Sequence, residues 1–254
     1  MSAPNAFDRA SLLRRAAPLV ILAGALASAC SRSEGLATTA KTESGSDLRW
    51  TARSIVLKLA PEARGATMKP WVEQALRRAV TIWNDALEDC GAPTLEVSDA
   101  PLARAAIRED RVNEVLFHER RWCPPSAADF EDCYDRRLHA STRLRPHRQP
   151  GNPRDGEIKE ADLEVNGVAH RFSPDGREPG TLSLQALFAH ELGHVLGLDH
   201  PCTDVPAQKG VRCDDPRLAS SLMHPDAAEK LAGKPLEPLP AEIEAICRSH
   251  ARSR

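Results

Sequence analysis

The residues best suited to chemistry are concentrated in one stretch, HELGHVLGLDH, residues 190–200. On a helix each residue advances by about 100°, so His190 and His194 stand about 40° apart on one face, one turn apart along the axis. Two imidazoles so placed can reach a single ion. Glu191, offset by one residue, flanks that ion without ligating it, as suits a base acting on metal-bound water. On a continuing helix His200 would point about 240° away from the ion, so the helix has to stop first. Gly197 can adopt the left-handed conformation that ends helices, and Leu198 and Asp199 then lead His200 back to the metal. Three neutral imidazoles leave the fourth position of a tetrahedral Zn2+ to water, the arrangement of a catalytic rather than a structural site. Zinc lowers the pKa of that water to about 7, and Glu191 can take its proton as it attacks a carbonyl.

The stretch matches H-E-x-x-H-x-x-G-x-x-H and resembles the zinc helix of metzincin metalloproteases, matrixins most closely. SLMHP, residues 221–225, looks like the family's methionine turn, which would place Met223 beneath the metal as an apolar floor. Astacin-like and serralysin-like members carry a zinc-linked tyrosine two residues after that methionine, where this chain has Pro225. Tyr134, the chain's one tyrosine, is remote in sequence, so the resemblance leaves oxyanion stabilisation to zinc and protonated Glu191. It implies an α+β fold: a single metzincin-type catalytic domain with a twisted mixed β-sheet, a long N-terminal helix, an active-site helix and a C-terminal helix. It also implies that the strand ADLEVNG, residues 161–167, is the edge above the cleft, along which a peptide substrate lies antiparallel. The chain departs from typical matrixins in a longer connection between His200 and Met223, in Pro201, and in lacking a cysteine switch before Arg49. The matrixin structural zinc and calcium sites find no matching residues, and His118, His139, His147 and His170 read as ordinary loop or strand histidines. Asp155, Glu157, Glu160 and Asp162 lack the ligand order of an EF-hand loop, so calcium is not supported.

Several elements must position this site. RSIVLKLA (53–60) reads as a strand ended by Pro61. From Pro70, apolar residues at 72, 76, 79, 80, 83 and 87 predict a helix that stops near Gly91. TLEVS (94–98) and NEVLFHE (113–119) read as strands, the second interior. Residues 120–157 show no periodic segment, and their arginines at 136, 137, 143, 145 and 148 read as a solvated loop rather than a docking site for an acidic partner. Alternation in ADLEVNG predicts a strand wet on one face. The active-site helix would begin after a cap at Thr181 or Ser183, and AEIEAICRSH predicts a last helix with Ile243, Ile246 and Cys247 on one face.

With 254 residues, 41% hydrophobic and 28% charged, the chain can build one well-buried domain, and a net charge of −2 gives no basic field for nucleic acid. A monomer is expected. Arg14 and Arg15 precede the apolar run LVILAGALA (19–27) and then ASAC, an export signal whose end resembles a bacterial lipobox, with Cys30 as the lipid-modified residue. An ordinary cleaved signal is the alternative, and Ala27 stands where lipoboxes most often have leucine. These readings divide the chain into a signal peptide (1–29), a flexible tether (30–49) and the protease domain (50–254), exported and either lipid-anchored in the cell envelope or secreted. Removing Cys30 leaves six cysteines that can pair completely in an oxidising compartment. Close spacing favours Cys123 with Cys133 and Cys202 with Cys213, leaving Cys90 for Cys247, one of fifteen connectivities. A Cys202–Cys213 bridge would fold the extra length after His200 into a lobe beside the site. The resulting expectation is a zinc endopeptidase acting on protein or peptide. The competing reading is a lipid-anchored protein that keeps zinc for structure, which has no need of a base at Glu191.

Overall fold

The computed structural model describes residues 35–61, 69–100, 102, 107–124, 133–203 and 211–251. The signal segment and Cys30 lie outside them. A five-stranded mixed sheet organises the domain, in the order β3 (Thr94–Val97), β2 (Ser54–Pro61), β4 (Asn113–His118), β6 (Ile158–Asn166), β5 (Ala140–Pro146). The first four strands are parallel and β5 runs antiparallel at the edge. On one face lie α1 (Pro70–Leu87) and α2 (Leu184–Val195). The apolar positions read from sequence are the buried face of α1, and Trp83 sends its indole N–H to Ala189 O of α2 at 2.7 Å. Ser183, one of the two residues expected to cap α2, does so by accepting the Ala186 N–H at 3.1 Å. Two short parallel strands, β7 (Phe172–Ser173) and β8 (Leu182–Ser183), precede α2, and a short helix, α3 (Ala227–Lys230), packs on it. The last long helix, α4 (Pro240–Ala251), buries Ile246 and half-buries Ile243 and Cys247. The three disulfides are Cys90–Cys247, Cys123–Cys133 and Cys202–Cys213, the pairing favoured by spacing.

Three expectations are corrected. The segment 30–49 is not a tether along its described length: from residue 35 it packs on the domain, with Thr42 and Leu48 buried and β1 (Thr38–Thr39) paired with β9 (Leu198–Asp199). Thr38, Thr42 and Ser44 give their hydroxyls to the domain, at His200 O and Asp155, which composition alone does not disclose. Residues 120–157 contain β5, whose apolar positions are too few to give a periodic signal. ADLEVNG is neither the edge nor wet: β6 lies between β4 and β5, and Glu160, Asp162, Glu164 and Asn166 are at most 1% exposed.

Alternation showed that the two faces of β6 differ, but not that water covers the polar one. Glu160 accepts the backbone N–H groups of Asp110 (2.7 Å) and Arg111 (2.5 Å) and pairs with Arg145, which also reaches Asp162. Glu164 bonds His118 Nε2 at 2.9 Å and accepts the Tyr134 hydroxyl at 2.5 Å. Buried polar groups persist in such a layer because each has a partner. Arg145 is therefore a half-buried ion-pair partner, not part of a solvated loop. The other acidic residues considered for calcium have protein donors too: Asp155 bonds Thr42, Ser44 and the Gln149 N–H, and Glu157 bonds Thr51 and Arg154.

Candidate metal centre

α2 carries His190, Glu191 and His194 on its last two turns, packed so closely that ten of its twelve residues are buried. It ends as the sequence requires. Gly197 takes φ +96° and its N–H bonds His194 O at 2.9 Å, after which β9 brings His200 back. A side chain at 197 would also lie 2.5 Å from Leu48 O, so glycine is required there for space as well as for conformation.

The three Nε2 atoms converge: His190 to His194 and His190 to His200 are 3.1 Å, and His194 to His200 is 3.2 Å. Among the described residues this is the one cluster of three or more candidate ligands able to share an ion. The outer nitrogens fix the tautomers of two rings. His190 Nδ1 donates to Leu222 O at 2.7 Å and His194 Nδ1 donates to Leu198 O at 2.9 Å, so both Nε2 atoms present lone pairs inward. Inward-facing lone pairs repel one another unless a cation lies between them. A point equidistant from the nitrogens is about 1.8 Å from each, close to the Zn–N bond length of about 2.0–2.1 Å. Burial, reinforced by the neighbouring rings, holds His190 well below the usual imidazole range, and burial brings His200 to about 4. The neutral form of these two rings, the form that binds metal, is thus favoured. The set fits zinc.

Met223 is fully buried beneath the helix, and a Cβ on Gly193 would lie 2.2 Å from its sulfur, so glycine at 193 lets the methionine side chain sit where it does. Sequence reasoning missed what fixes this turn. Glu242 of α4 accepts the Ser221 hydroxyl at 2.7 Å and the Met223 N–H at 2.9 Å, while its other oxygen accepts the Leu239 N–H at 2.6 Å. The last bond is one half of a capping box, readable in principle from Glu at the third helical position after Pro240. Leu222 O, and with it the ring of His190, is held by this arrangement.

Glu191 is 5% exposed, and burial pushes its carboxyl upward while His194 and a hydrogen bond from Thr142 oppose that shift. The Thr142 hydroxyl donates to Glu191 Oε2 at 2.6 Å, a contact the sequence did not disclose because it joins α2 to a strand that lacked a signal. His139 O accepts the Asn166 N–H, so by antiparallel alternation His139, Ser141 and Arg143 turn their backbone groups to β6, while Ala140, Thr142 and Leu144 turn theirs to the open edge. β5 and α2 thus bound a cleft of about 680 Å³ that contains the three histidines and Glu191. Of the other histidines, His118 pairs with Glu164, and His139 and His170 stack edge to face with centroids 4.5 Å apart; none joins the trio. Tyr134 lies with Glu164 on the sheet face opposite Leu163, away from the cleft.

No family model matches the sequence, and no curated protein matches it. Among solved structures, the chain is similar to one described as the GM1 bound form of the ECX AB5 holotoxin, at 17% identity and TM-score 0.43, over 85% of this chain and 89% of that one. It is also similar to metalloproteinase-II from Bacteroides fragilis, at 13% identity and TM-score 0.38, over 85% of this chain and 60% of that one. The chain thus spans three fifths of the metalloproteinase's length, and both scores are too low to bear on its activity, which has to be judged from its own atoms.

Proposed function

We propose that the chain is a zinc-dependent endopeptidase of metzincin type, matrixin-like, with His190, His194 and His200 as ligands and Glu191 as general base. The observation that carries this reading is the convergence of three Nε2 atoms beside a buried carboxylate that stands outside their cluster. A zinc ion held there supplies a Lewis acid that acidifies water and polarises a carbonyl. Thr142 holds Glu191 Oε2, so Oε1 is the oxygen left to accept a proton from water and return it to the departing amine. The open edge of β5 offers backbone donors and acceptors at Ala140, Thr142 and Leu144, to which an extended peptide can add as an antiparallel strand. The edge proposed for the substrate is therefore residues 140–146, in place of ADLEVNG.

The competing reading, a lipid-anchored zinc protein without proteolysis, leaves the Thr142 to Glu191 bond and the open edge without purpose. Three disulfides fit an exported chain in an oxidising compartment. Lipidation at Cys30 and a monomeric state belong to the proposal, and no helix of the described residues is long and apolar enough to cross a membrane.

The test is reversible metal removal. The purified chain should hold one zinc, lose cleavage of an unfolded protein on dialysis against a chelator, and regain it with added zinc. One bound zinc with no cleavage in any state would favour the binding protein. Thr142→Val, which keeps shape but removes the hydroxyl, should lower kcat about 10- to 100-fold with little change in KM, since a hydrogen bond to a charged group contributes about 1.5–3 kcal/mol. Thr142→Ser should retain most of the activity, and steady-state kinetics on one peptide decides.

A further inference from the structure

The segment whose composition reads as a linker is bonded to the turn that carries the third proposed ligand. Residues 38–50 form a hairpin: Leu48 N–H bonds Ala40 O at 2.8 Å, Thr42 N–H bonds Ser46 O at 2.9 Å, and Lys41 pairs with Asp47. Its turn is clipped to the domain by Asp155, which accepts the hydroxyls of Thr42 and Ser44, and its second strand by Arg49, whose N–H bonds Gly156 O. Its near end meets the metal site at one carbonyl at the end of α2 and two in the turn that follows it. Trp50 Nε1 donates to Val195 O at 2.7 Å, Ala40 N–H donates to Gly197 O at 2.9 Å, and the Thr38 hydroxyl donates to His200 O at 3.0 Å. Thr38 and Thr39 stand opposite Asp199 and Leu198 in register. Leu198 O in turn accepts from His194 Nδ1, so the strand that the hairpin holds also sets the ring of the second ligand.

We infer that residues 38–50 are a positioning strap for the metal centre, holding the Gly197–His200 turn so that His200 meets the two helical ligands. The inference rests on the zinc reading of the trio, but not on hydrolysis. Two of the three ligands sit on one helix and are pre-placed by its geometry. The third follows a glycine, the least restrained residue of the turn, and has to be fixed by something outside the helix. The strap supplies that constraint with backbone and hydroxyl bonds, without entering the coordination sphere. Partners of this kind, acting one bond removed from a ligand, change metal affinity about 10- to 100-fold when lost.

The test uses the full chain and reads metal rather than turnover. Ala40→Pro removes the N–H given to Gly197 O, and Thr38→Val removes the hydroxyl given to His200 O. Zinc affinity, measured by competition with a chelating dye, should fall about 10- to 100-fold in Ala40→Pro and by a smaller factor in Thr38→Val, while Thr38→Ser stays at the wild-type value. The visible absorption of the cobalt-substituted protein should change in the first two and not in the third. Thermal unfolding of the metal-free proteins separates a loss of fold from a loss of site. If Ala40→Pro does not fold, Thr38→Val against Thr38→Ser decides. Wild-type affinity and an unchanged cobalt spectrum in folded Ala40→Pro, or in Thr38→Val, would overturn the strap. A wild-type chain that binds no zinc would overturn the metal centre and the strap with it, whereas zinc binding without peptide cleavage would leave the strap standing and remove only the peptidase.

Discussion

Glu191→Gln should lower peptide hydrolysis by about two to four orders of magnitude while leaving zinc bound and the fold intact. The amide has the shape of the carboxylate and can still accept the Thr142 hydroxyl, so the 2.6 Å contact survives. The proposed ligands His190, His194 and His200 are untouched, so metal content should not change. What is lost is a group able to take a proton from water. Because Glu191 is buried and burial resists its ionisation, the neutral substitute should hold or raise stability. That combination, a stable zinc protein with almost no turnover, separates a base from a structural residue. The check is kcat/KM on one peptide beside metal analysis and a thermal melt, and undiminished turnover would remove Glu191 from the mechanism.

Replacing Cys90 and Cys247 together by serine should cost about 2–5 kcal/mol of stability. The bridge closes a loop with a sequence separation of 157, so it restricts the unfolded chain far more than the two short bridges, whose separations are 10 and 11. It also ties the C-terminal end of α1 to α4. Since α4 carries Glu242, which holds Ser221 and Met223 N–H, loosening it should weaken zinc binding through Leu222 O and His190 as well. Denaturant unfolding of the oxidised proteins measures the first effect, and dye competition measures the second. A double variant as stable as the wild type would show that packing of α1 against its neighbours already fixes α4.

The centre was legible because its chemistry is local. A one-turn spacing, a neighbouring carboxylate and a stop glycine are all written within eleven residues, and the structure brings His190, His194 and His200 together as that spacing requires. α1 was legible for a similar reason, since a one-sided apolar repeat over eighteen residues admits few readings. What escaped was whatever depends on a partner distant in sequence. Thr142 lies 49 residues from Glu191 and sits in a strand where only Ala140 and Leu144 are apolar before Pro146. Thr38 lies 162 residues from His200, in a segment whose composition resembles a linker. The polar face of β6 looked solvated because its covering residues, Asp110, Arg111, His118 and Tyr134, come from separate loops and strands that no local pattern joins. Cysteine spacing succeeded for the two short bridges, and the long one followed by remainder.

The central claim is that this cleft cuts internal peptide bonds with a metal held by three histidines. Its most direct test is a mass-spectrometric digest of a peptide library by the zinc-loaded chain, run beside the chelated chain and Glu191→Gln. The expected result is cleavage of internal bonds by the zinc-loaded chain and by neither control. A library left intact by a folded chain carrying one zinc per molecule would contradict the account.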